Sequence, residues 1–285
     1  MNGPIYIDRP PRIQPELPFD QIEIPGPPEK DENGMLRLIQ VGLPLLTILG
    51  YVLISSMGGA GRSPMLLIPM ALTVVASTAF SIYSYRKEKQ KQAEVERNYT
   101  KQLVEMFKEM NNYQDQQRRF YGYNYPNRAS LYRIVNNARA EVEKPDRTLR
   151  TEARLWERRT SDDDFGVIRL GMGTIPSTVT YLLRDANNFD DPQAREALKL
   201  EADSKFVSDI PVIVSLRPPL EDDKNDNKDE ISINPPAAHA LGIAGERQAV
   251  YEAVRAMLGH FVVFHAPSDA RLYFLASKKD EWGWT

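Results

Sequence analysis

LRLIQVGLPLLTILGYVLISSM (Leu36–Met57) and SPMLLIPMALTVVASTAFSIYSY (Ser63–Tyr85) are two apolar stretches joined only by GGAGR. Each matches the roughly 20 residues an α-helix needs to cross the hydrocarbon core of a bilayer. Inside them the one charge is Arg37, close to an edge. Backbone amides in lipid find partners only within a helix or a closed barrel, and prolines such as Pro44 and Pro69 are tolerated in membrane helices. The sequence therefore predicts a two-helix transmembrane hairpin over residues 36–85. The alternative is a buried helical hairpin in a protein core, where helices are usually shorter.

Flanking charge gives the expected orientation. Arg86, Lys87, Lys89 and Lys91 follow the second stretch, whereas the connecting loop offers Arg62 alone. Lys and Arg near span ends favour the cytoplasm, so the expectation is a multi-pass protein of the bacterial inner (plasma) membrane with both termini cytoplasmic. The first 35 residues lack the basic n-region and apolar h-region of a signal peptide, so no cleavage is expected.

Composition narrows the chemistry. The 36 basic and 39 acidic residues leave a net charge of −3, with no overall bias towards nucleic acid. There is no cysteine, which removes disulfides, thiolate metal sites and cysteine nucleophiles and fits a reducing compartment. His239, His260 and His265 form no HExxH-like pair, so no metal site is expected.

Four regions follow. Residues 1–35 form a Pro-rich arm. Its Ile5, Ile7, Ile13, Leu17, Phe19, Ile22 and Ile24 exceed the apolar content of a solvated tail and suggest an extended segment that docks on a neighbouring surface; a disordered tail is the alternative. Residues 36–85 are the hairpin. Residues 86–147 begin with a stretch free of Gly and Pro to Tyr121, with apolar residues at Val95, Tyr99, Leu103, Met106, Met110 and Tyr113. Those three- and four-residue steps are a helical stripe. As one stalk, ~35 residues extend on the order of 50 Å; a helix lying flat on its own domain is the alternative. SLYRIVNNARAEVEK reads as a second helix.

Residues 148–285 alternate short strands and helices. FGVIRLGMG (Phe165–Gly173), IPVIVSL (Ile210–Leu216), ISI, ALGIAG (Ala240–Gly245) and RLYFLAS (Arg271–Ser277) read as strands. DDPQAREALKLEADSKF and ERQAVYEAVRAMLGHFVVFH read as helices. This texture predicts an α/β domain with a mostly parallel sheet.

Three motifs invite a chemical reading. Gly242, Gly245 and Arg247 lie where a strand would turn into a helix, the layout that cradles phosphate. The turn lacks the Lys and hydroxyl of a working P-loop, and Glu246 opposes phosphate, so a structural crossover competes with nucleotide binding and no hydrolysis is assigned. DDDF (Asp162–Phe165) could hold a cation or cap a turn. RLWERR (Arg154–Arg159) marks a contacting or packed surface rather than catalysis. No catalytic residue is assigned.

LWERRTSDDDFGVIRLGMGTIPSTVTY resembles the segment beyond the stalk in EccC-type membrane ATPases of type VII (ESX) secretion systems, which are related to the FtsK/SpoIIIE translocases. The Arg9–Ile13 arm, the hairpin, and GIAGERQAVYEAVRAML followed by HAPSDARLYFLASKKDEWGW agree in order. The resemblance implies that residues 148–285 are a degenerate ATPase-like domain, and that Trp156, Glu157, Arg158, Arg159, Asp164, Phe165 and Arg169 join it to the stalk. It implies ATP and magnesium for the full motor, with hydrolysis in downstream domains on the same or a separate polypeptide and no cofactor in this portion. It further implies partners of the EccB, EccD and EccE types, further copies of the chain, the lipid bilayer, and small helical secreted substrates met through those downstream domains.

Overall fold

The computed structural model describes residues 9, 12–28, 42, 46, 49–50, 67–143, 154–184, 191–217 and 240–275. Its elements in order are β1 (Asp20–Ile24), α1 (Leu67–Asn124), α2 (Arg128–Glu143), β2 (Val167–Pro176), β3 (Val179–Leu183), α3 (Pro192–Ser204), β4 (Phe206–Ser215) and α4 (Arg247–Phe264). The chain divides into two compact units.

One unit comprises residues 23–108 and 183–200. Here the stripe on α1 buries Tyr99 and Leu103, while Ala194, Ala197 and Leu200 turn the inner face of α3 away from water. The Tyr99 hydroxyl donates to Pro25 O at 2.9 Å, and Gln193 Nε2 donates to Glu96 O at 2.9 Å. Side chains thus supply partners to backbone groups at the edges of this small core.

Among the described residues, no helix is long and apolar enough to cross a membrane. This overturns the transmembrane hairpin and, with it, the multi-pass inner-membrane location with cytoplasmic termini. Most of Leu36–Met57 lies outside the described residues. From Leu72 onward α1 interleaves its apolar side chains with Thr73, Ser77, Thr78, Ser81 and Ser84, then meets Arg86 and Lys87 without a break. Ser77 and Ser84 return their hydroxyls to carbonyls one turn back, Val74 O and Ser81 O, at 2.9 Å each.

The other unit holds residues 1–22, 109–182 and 201–285. The mostly parallel sheet is also corrected. β2 and β4 pair antiparallel, from Val167 opposite Ser215 to Pro176 opposite Phe206, and β1 pairs with β3. The chain between β2 and β4 turns back through β3 and α3, so β4 returns in the opposite sense instead of crossing over. Ala240–Gly245 form no strand and are exposed throughout, and Arg271–Leu275 are exposed and outside any ladder. The ISI strand and the charged loop before it lie outside the described residues.

The β2–β4 register slips twice, between Arg169 and Gly171 and between Gly173 and Ile175. Asp209, at φ 54°, takes up the second slip from the β4 side, as the extra residue of a bulge does. A Cβ on Gly173 would stand 2.7 Å from Val212 Cγ2. Gly173→Ala is therefore expected to destabilise this unit by about 1–3 kcal/mol through overpacking, measurable as a lower urea midpoint. Tyr121, Tyr125, Val167, Val207 and Ile210 form its main core, with Leu17 of the arm packed against them. A second cluster sets Ile168 and Val214 against Met257 of α4.

Candidate functional site: two helix ends capped by one string

Two helices of this unit end close together, and each leaves carbonyls without intrahelical partners. α1 stops at Asn124 because Pro126 disfavours the helical conformation at the residue before it. Its freed carbonyls meet three guanidiniums. Arg154 Nη1 donates to Tyr123 O at 2.9 Å, Arg158 Nη2 to Asn124 O at 2.7 Å, and Arg169 Nη1 to Tyr125 O at 2.8 Å. Cations at the negative end of a helix are favoured by its dipole as well as by these bonds.

α4 ends on the same string. Trp156 donates its indole Nε1 to Val262 O at 3.2 Å and its backbone N–H to Val263 O at 2.8 Å. Arg158 N–H takes Phe264 O at 3.1 Å. Offering both N–H groups to successive carbonyls puts Trp156 at φ 59°, a region costly for a bulky residue. His265 closes the turn. Its backbone N–H donates to Phe261 O, and its Nδ1 lies 2.8 Å from the same oxygen, which fixes Nδ1 as the protonated nitrogen. Nε2 then accepts from Gly166 N–H at 2.8 Å. Gly166 reaches it with φ +82°, open to glycine at little cost.

Arg158 is fully buried between the two ends. Its Nη1 donates to Val167 O at 2.6 Å, and the guanidinium lies 4.9 Å from the Tyr125 ring centroid and 4.7 Å from that of Phe264. Nε faces Asp164 Oδ2 at 3.1 Å without hydrogen-bond direction. Burial lowers the Arg158 pKa, against the pull of Asp164. On the carboxylate, burial works upward, but the hydrogen bonds from Arg12 and the charge of Arg158 hold Asp164 below its ordinary range.

The arm completes the cluster. Arg12 grips Asp164 with both Nη atoms, at 2.7 and 2.6 Å, and Nη2 also donates to Asn124 Oδ1 at 2.8 Å. Arg9 pairs with Asp269 at 2.8 Å. Arg154 holds Glu157 bidentately at 3.0 and 2.6 Å, and Arg159 Nη2 donates to Arg9 O at 3.1 Å. Phe165 stands edge-on to the His265 ring, with centroids 4.9 Å apart.

Trp156, Glu157, Arg158, Arg159, Asp164, Phe165 and Arg169 therefore converge on one place. Gly242, Gly245 and Arg247 do not belong to it. They lie on an exposed turn at the start of α4, where Glu246 occupies the N-cap position without a side-chain cap bond. Arg247 Nε donates to Tyr251 OH at 3.0 Å. Asp162 Oδ2 accepts from Arg159 N–H, a local turn contact, and no metal-binding cluster exists among the described residues. Sequence reasoning gave no site role to Asn124, His260, His265 or Asp269, and marked Arg12 and Arg154 only through the Arg-rich strings that contain them.

No family model matches the chain. The ESX secretion system protein EccC of Thermomonospora curvata is 25% identical over 283 residues, covering 96% of this chain and 19% of its own length. The ESX secretion system protein YukB of Bacillus subtilis is 21% identical over 287 residues, covering 97% of this chain and 17% of its own. The chain is similar to these ESX secretion proteins along nearly its whole length. The chain spans about a fifth of the length of the curated relatives it matches. The matched region contains the arm, α1 and both capped helix ends.

Proposed function

We propose that the chain serves a type VII (ESX) secretion system as the stalk and coupling portion of an EccC-type motor protein. Its double cap fixes the end of the long helix to the domain that follows. The observation that carries this reading is the set of three arginines on the carbonyls of Tyr123, Asn124 and Tyr125 where α1 ends, in a chain similar to ESX secretion proteins along nearly its whole length. ATP and magnesium belong, on this reading, to domains outside this sequence. Further copies of the chain and components of the EccB, EccD and EccE types are the partners. Nucleotide binding at Gly242, Gly245 and Arg247 is a separate question that a titration of the full chain with ATP answers.

Trp156 offers the cleanest test, because its indole caps α4 and also lines an open groove of about 600 Å³ with Phe261, Val262 and Tyr273. Trp156→Ala is expected to destabilise the unit by about 2 kcal/mol, less than a fully buried tryptophan. It is further expected to lower export of ESX substrates into the medium at least tenfold and to reduce co-purification of other secretion components. Unchanged export by a folded variant would overturn the assignment.

A further inference from the structure

The arm reaches the domain across 112 to 260 positions of sequence, and two guanidiniums do most of the holding. Arg12 enters a notch walled by Asp164 at 2.6 Å, Asn124 Oδ1 at 2.8 Å and Glu157 at 3.8 Å, with its side chain 10% exposed. Arg9, three residues earlier, takes Asp269. Leu17 then adds an apolar contact to the core beside Tyr121 and Tyr125. This is a short linear element read at three points: two cations of fixed spacing and one aliphatic side chain. Bidentate guanidinium–carboxylate geometry gives such a contact its selectivity. The two prolines between the arginines limit what the free segment loses on ordering.

Nothing in these contacts requires the arm to belong to the same chain. Asp164 sits between Arg12 and the buried Arg158, so the notch keeps one cation when the arm leaves and stays assembled. We propose that the Asp164–Asn124–Glu157–Asp269 notch is a recognition site for an Arg-x-x-Arg segment, occupied reversibly by the chain's own Arg9–Arg12 and open to the same segment of a second copy. This goes beyond the secretion role and does not rest on it. Tethering places the chain's own arm at an effective concentration in the millimolar range, so an incoming arm competes only where copies are crowded together or the resident arm is pulled away.

The probe is a fluorescent synthetic peptide of residues 8–24, titrated into the full chain carrying Arg9→Ala and Arg12→Ala and followed by anisotropy. The variant is expected to bind the peptide at least tenfold more tightly than the unaltered chain, whose own arm competes. Binding should weaken as salt rises, and replacing both peptide arginines by glutamine should cost at least tenfold. Adding Asp269→Asn to the variant should weaken binding several-fold. Absence of binding at millimolar peptide, by a variant whose circular dichroism matches the parent, overturns the proposal, as does equal binding of the glutamine peptide. Should the double variant fail to fold, Arg12→Gln alone empties the Asp164–Asn124 end of the notch without touching the acids, and the same two outcomes decide.

Discussion

Replacing Arg158 by methionine is expected to lower the unfolding free energy of its unit by about 3–5 kcal/mol, the range for removing one partner of a buried ion pair. Methionine fills much of the volume but leaves Val167 O and Asn124 O without their donors. It also removes one of the two cations that face Asp164. Buried carbonyls left unpaired cost about 1–3 kcal/mol each, so the loss does not rest on the charge alone. Arg158→Lys should recover little, because one ammonium cannot reach two carbonyls and a carboxylate in the planar fork of a guanidinium. Urea denaturation of the full chain, read by circular dichroism, measures both. A loss below about 1 kcal/mol for Arg158→Met would mean that the two helix ends hold without their shared cation.

Acid is the second large lever. His260 is buried, with both ring nitrogens unpaired, stacked on Tyr125 at 5.8 Å and beside Phe264 at 4.8 Å. Burial first, and then the charge of Arg158, pushes its pKa down to about 2. Burial, with Arg158 adding to it, pushes His265 down to about 4, although its bond to Phe261 O works the other way. Both folded values lie below the unfolded value of 6.5, so the unfolded chain binds more protons. Stability is therefore complete above about pH 6.5 and is lost as pH falls towards 4, with a slope approaching about 2.7 kcal/mol per pH unit for two sites. Below that, Asp164 adds to the loss, since its depressed pKa makes its contribution present above its unfolded value and lost as it takes up a proton. His260→Phe should roughly halve the slope between pH 6 and 4 and raise stability in acid, because it removes two unpaired polar atoms along with a titrating group. A slope unchanged by that substitution would show that His260 charges as easily folded as unfolded.

Local periodicity carried much of the secondary structure. The three- and four-residue spacing from Val95 to Tyr113 lies on α1, and VIRLGMG and IPVIVSL lie on β2 and β4. What periodicity lacks is the identity of a strand's neighbour. ALGIAG and RLYFL (Arg271–Leu275) have strand-like composition yet gain no ladder, and the direction of β4 follows from the path through β3 and α3, not from its own residues. The apolar run to Tyr85 misled for a related reason. Apolar composition alone does not mark a span, and here the apolar residues alternate with Thr73, Ser77, Thr78, Ser81 and Ser84 on a helix that runs on into Arg86 and Lys87. For the site, Arg-rich composition marked RLWERR as a contact surface but could not name its targets. Those are backbone carbonyls at Tyr123, Asn124 and Tyr125, which have no signature beyond the proline that follows them. His260 and His265 lay beyond sequence reasoning altogether, because neither holds a partner at a recognisable spacing.

The consecutive carbonyls of Tyr123, Asn124 and Tyr125, where α1 ends, are each held by a separate guanidinium. Such a joint behaves like a splined shaft. Twisting the rod about its own length must shear every tooth together, whereas a single contact would let it swivel.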